Sequence, residues 1–139
     1  MTSEAGLLDE YTALAERSSG HVRFLLEIIG EDEARHHHLY EQWAASIRAA
    51  SVLAESSDGI PSVHAEDDPA AVVASAERLI ALEEQDAKEL RGLRKEIKDY
   101  EGTTLWPLLV ELMEHDTQKH LAILRFLRSH AKDTLKHRI

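Results

Sequence analysis

Residues 28–43 read IIGEDEARHHHLYEQW, and the fold turns on how this stretch is read. At a helical period of about 3.6 residues, Leu26, Ile29, Glu33, His36, Tyr40, Trp43 and Ile47 fall on one stripe. A stripe that faces a core should be apolar. This one is interrupted by Glu33 and His36, with Asp32 and His37 at its edges. The run of three histidines therefore splits into three expectations. His36 faces inward, His37 lies at the edge, and His38 points to solvent.

The same period continues on either side. A first helix is expected from Ser3 to Arg17, with Leu7, Leu8, Tyr11, Leu14 and Ala15 at helical spacing. SSG at 18–20 ends it and caps the next helix, which runs from Gly20 to Glu55 with Gly30 marking a bend or a close contact. SSDGIPSVHAED at 56–67 reads as a loop. Asp68-Pro69 then starts a third helix, with Asp as N-cap and Pro at the first helical position. Its stripe is Val72, Ala76, Leu79, Glu83, Asp86, Leu90, Leu93 and Ile97, and it extends to Tyr100. EGTT at 101–104 breaks it, and Thr103 or Thr104 caps a fourth helix with Pro107 in its first turn. The fourth stripe is Leu105, Leu109, Leu112, Asp116, His120, Ile123 and Leu127.

Nothing reads as a strand. The expectation is all-α: one domain over residues 1–139, an antiparallel up-down-up-down four-helix bundle with a short first helix. Composition agrees. The chain has 139 residues, 30% of them charged, with only 6 Gly and 3 Pro. With no Cys, disulfides, thiolate metal sites and cysteine nucleophiles are excluded. A formal net charge of −10 argues against binding a nucleic-acid backbone and fits a soluble, cytoplasmic protein. No stretch approaches the roughly 20 apolar residues of a membrane span. The opening MTSEAGLLDEY has neither a basic n-region nor an apolar h-region, so no signal peptide is expected.

Each stripe is interrupted by side chains that can bind metal: Glu33 and His36, Glu83 and Asp86, Asp116 and His120, with Glu4 opening the first helix. His120 is 18 residues past Gly102 and Glu84 is 18 before it, which brings Glu83 and His120 to one level. Counting from Ser19 sets His36 beside Thr2 and near Glu4. Across the longer loop, the segment from Glu33 to His36 falls opposite Asp86 to Glu89. The interruptions thus converge on one layer. An internal repeat supports this. LLEIIGEDEARHHHLY at 25–40 aligns without gaps to LVELMEHDTQKHLAIL at 109–124. Leu25, Glu27, Asp32 and His36 match Leu109, Glu111, Asp116 and His120, and Arg35 matches Lys119 in charge. The shared D-x-x-x-H spacing puts Asp and His on one helix face.

With these residues in view, the chain resembles the ferritin-like superfamily, which includes rubrerythrin-type di-iron carboxylate proteins. That fold draws one Glu from each of two helices and Glu-x-x-His from each of the other two. EARH, Glu33 to His36, matches the motif, and Glu83 matches the lone bridging Glu. The resemblance implies one or two ions of iron, manganese or zinc in the bundle core. Glu33 and Glu83 would bridge or chelate, and His36 and His120 would be terminal ligands. With iron, the implied chemistry is oxidation of Fe(II) or reaction with oxygen or peroxide. Two departures stand out. TQKH at 117–120 has Thr117 where the family has Glu, and only Glu4 could supply a carboxylate from the first helix. A six-ligand di-iron site, a reduced site on His36, His120, Glu33 and Glu83, and a metal-free layer all stay open. With no Cys, the chain cannot carry the cysteine-ligated iron of rubrerythrin proper.

Other readings attach to the same residues. His–carboxylate pairs in a buried polar network satisfy these groups without metal. A helical interaction or scaffold protein would use such a layer only to set register. The short first helix should leave apolar surface around Tyr40, Trp43, Ile47, Leu79 and Leu124, the expected face of a homodimer. A hemerythrin-like oxygen carrier fits less well, because His-x-x-x-His/Glu sets are not spread over all four helices. Asp32 and Asp116 are candidates for orienting the histidines.

Overall fold

A computed structural model describes residues 4–51, 68–100, 102 and 104–137. The described residues form four α-helices and no strand: α1 (Glu4–Glu16), α2 (Gly20–Ser51), α3 (Pro69–Glu96) and α4 (Trp106–Lys136). None of these helices is long and apolar enough to cross a membrane. The helices sort into two compact units, Met1–Val63 and His64–Ile139.

In the first unit α1 packs on α2 across the connection at 17–19. Gly20 takes φ 61°, a left-handed conformation that costs a residue without Cβ nothing, and this lets the chain reverse within three residues. Ser18 Oγ donates to the Leu14 carbonyl at 2.8 Å, occupying one of the orphan acceptors at the end of α1. With 13 residues against 32, α1 is about 20 Å long and α2 about 48 Å. Ala15 is the buried residue of α1. The α2 helix runs unbroken through Gly30, where an added Cβ would meet nothing within 4 Å, so this glycine marks no close contact. The last four residues of the helix expected to reach Glu55, and the loop at 56–67, lie outside the described residues.

The second unit is the α3–α4 hairpin. Asp68 caps α3 as expected, its Oδ1 accepting from the Ala70 N–H at 3.1 Å with Pro69 in the first turn. The helix ends earlier than Tyr100. The Ile97 N–H closes on the Leu93 carbonyl, and a 3-10 turn over Lys98–Tyr100 follows. The left-handed Gly102, φ 84°, turns the chain. Thr104 Oγ1 accepts from the Trp106 N–H at 3.4 Å, while the backbone cap is Leu105. Thr103 lies outside the described residues. Tyr100 and Trp106 meet edge-on across the turn at 5.9 Å.

Ion pairs between the helices establish their direction. Glu77 meets Lys132 (3.4 Å), Glu84 meets Arg125 (4.0 Å) and Arg94 meets Glu114 (2.7 Å). Partners fall earlier on α4 as α3 advances, so the two run antiparallel. On α3 the buried residues are Pro69, Ala76, Ile80, Ala87 and Leu90, with Ile97 just beyond. Their spacing alternates long and short steps, as a heptad seam does. On α4 they are Val110, Thr117, Leu121 and Ala131. The seam mixes the small Ala76, Ala87, Thr117 and Ala131 with the larger Ile80, Leu90, Ile97, Val110 and Leu121.

The seam departs from the sequence expectation on both helices: on α3, Leu79, Asp86 and Leu93 of the expected stripe are exposed while Ile80 and Ala87 are buried. The stripe read on α4, from Leu109 through Asp116 and His120 to Leu127, lies beside the buried line, and Asp116, His120, Ile123 and Leu127 are exposed. One neighbouring helix covers only a narrow strip of a cylinder. An apolar sector wider than that strip keeps its flank open, and sequence periodicity locates the sector but not the strip.

Candidate metal site

Glu83 on α3 and His120 on α4 meet across the hairpin, one residue from the Glu84–His120 level that equal counting from Gly102 gives. His120 Nδ1 lies 3.3 Å from Glu83 Oε1. The Glu83 side chain is 23% exposed and His120 49%. They sit in the wall of an open groove of about 480 Å³ on the α3–α4 hairpin. Glu83, Asp86 and Glu89 line it from α3, and Asp116 and His120 from α4. Leu90, Leu93 and Met113 supply its apolar part, and Thr117 also lines it. Four of the six residues expected at a metal site are thus brought to one groove: Glu83, Asp86, Asp116 and His120.

Glu89 is the member that the stripe did not single out. It lies three residues after Asp86, as Asp86 does after Glu83, so the three carboxylates run along one side of the helix. Gln85 Nε2 donates to Glu89 Oε1 at 3.3 Å.

The other two expected ligands sit on α2, where His36 Nδ1 is 3.9 Å from Glu33 Oε2. Glu33 is largely covered, at 17% exposure, whereas His36 is 56% exposed and not turned inward as its stripe position suggested. His37 is the more covered of the two and meets Glu41 at 3.0 Å. His38 is exposed, as expected. Glu4 opens α1, but its side chain lies outside the described residues.

The two aspartates of the repeat behave alike, though not as expected. Asp32 pairs with Arg35, and Asp116 approaches Lys119 at 3.8 Å. Both pairs are i,i+3 along an exposed helix face. The repeat therefore encodes a matched Asp–cation pair on α2 and α4, and these aspartates are not engaged with the histidines. Glu27 and Glu111 pair with Arg23 (2.9 Å) and His115 (3.8 Å), again within their own helices.

Thr117 occupies the position at which the family pattern has Glu. It is 6% exposed and forms part of the seam against α3. A carboxylate at this position would be drawn out of water between two helices.

Among the described residues, no group of three or more His, Asp or Glu side chains is gathered closely enough to hold a metal ion. Two donors are in place. Nitrogen and oxygen ligands about 2.1 Å from an ion, at a tetrahedral angle, stand roughly 3.4 Å apart. The Glu83–His120 separation fits such a pair, and the donor chemistry fits a borderline or hard divalent cation. Asp86 and Asp116 line the same groove without completing a three-ligand group among the described residues.

No protein-family model matches the chain, no curated protein matches it, and no solved structure matches it.

Proposed function

We propose that the chain is a metal-binding, ferritin-like helical protein that closes as an antiparallel up-down-up-down four-helix bundle. Its ligands are Glu83 and His120, with Asp86 and Asp116 at the same groove and Glu33 and His36 as the matching pair on α2. The observation that carries this reading is the approach of Glu83 to His120 at 3.3 Å, across two helices, in a carboxylate-lined groove. Iron, manganese or zinc suits oxygen and imidazole donors without thiolate. With iron, the metal would supply Fe(II) oxidation or oxygen and peroxide chemistry. The protein's own part is to fix the imidazole of His120 against α3 and to surround the ion with negative charge. A cytoplasmic location accompanies this reading, on the strength of the acidic, cysteine-free composition.

The test is metal analysis of untagged protein after anaerobic reconstitution with Fe(II), Mn(II) and Zn(II), with His120→Ala and His36→Ala beside it. Stoichiometric metal that is lost in both variants supports the reading with all six residues. Loss in His120→Ala alone confines the ligands to the α3–α4 groove. Protein that takes up none of the three metals sinks the proposal.

A second reading is favoured by a separate observation. Leu39, Tyr40, Trp43 and Ile47 are each at least half exposed on the later part of α2. Aromatic and aliphatic side chains clustered on one helix face are the usual makings of an interface. In this reading the protein is a non-catalytic interaction or scaffold module that forms a homodimer through that face, and the His–carboxylate pairs set register.

A further inference from the structure

We draw no further inference here: the strongest candidate, the apolar groove of about 390 Å³ between the start of α3 and the end of α4, lined by Val72, Ala76, Leu79, Leu124 and Leu127, is an unpartnered face, and nothing in the structure shows what covers it.

Discussion

His120 Nδ1 lies 3.3 Å from Glu83 Oε1, joining α4 to α3 through the one approach between an imidazole and a carboxylate that crosses the hairpin among the described ion pairs. Both groups keep contact with solvent, so the pair contributes little to folding, under about 1 kcal/mol. His120→Ala and Glu83→Gln should therefore melt within a few degrees of the parent protein. If the groove holds a metal, both should nevertheless lose it. Circular dichroism melts beside metal analysis separate the two effects, and a collapse in stability that accompanies metal loss would show the pair to be structural.

Thr117 is 6% exposed in the α3–α4 seam and also lines the groove that holds Glu83 and His120. Thr117→Glu recreates the motif as EQKH but places the carboxylate in the seam against α3. Without bound metal, the expected result is a loss of roughly 2 kcal/mol or more. Thr117→Val should stay within about 1 kcal/mol of the parent. Urea unfolding of the two variants checks this, and a Glu variant that is stable without metal would overturn the placement of Thr117.

Gly30 and Gly92 lie inside α2 and α3, where an added Cβ meets nothing within 4 Å. Neither has the positive φ that needs glycine. Gly30→Ala and Gly92→Ala should each raise stability by about 0.5–1 kcal/mol, through helix propensity and a less flexible unfolded chain. Denaturant midpoints measure the gain, and a loss at Gly30 would mean that something packs against that face.

His130 stacks on Phe126, with ring centroids 6.0 Å apart and planes 5° from parallel. Its Nε2 is buried with no hydrogen-bond partner among the described residues. An unsatisfied buried polar atom costs about 1–3 kcal/mol, so His130→Leu should hold or raise the melting temperature. A clear fall would show that Nε2 finds a partner in solution, such as an ordered water.

Trp43 is 55% exposed and touches Tyr40, with ring centroids 6.3 Å apart. If the later part of α2 is a homodimer face, Trp43→Glu places a charge at its centre. Light scattering should then read a dimer for the parent and a monomer for the variant, with helicity unchanged. A parent that is monomeric at high concentration removes the dimer.

Residues close in sequence carried most of what could be read without a structure. Asp68-Pro69 starts a helix because the Asp carboxylate satisfies a free N–H and Pro has none to lose, and both effects act within three residues. SSG at 18–20 and EGTT at 101–104 were legible as breaks, and the glycine in each, Gly20 and Gly102, takes a φ above zero that a residue without Cβ adopts freely. The level of Glu83 and His120 followed from counting to within one residue, since two helices of equal rise joined by a short turn stay in step. The rotation of each helix about its own axis was not legible in this way. Periodicity located a broad apolar sector on α4, but it could not say that Thr117 would enter the seam while Asp116 leaned toward Lys119. Nor could it say that His36 would stand more open than His37. Those outcomes depend on which narrow strip the neighbouring helix covers. That choice depends on how the side chains of α3 and α4 fit across the seam, Ala76, Ile80, Ala87 and Leu90 against Val110, Thr117, Leu121 and Ala131, a property of two surfaces together and of neither sequence segment alone.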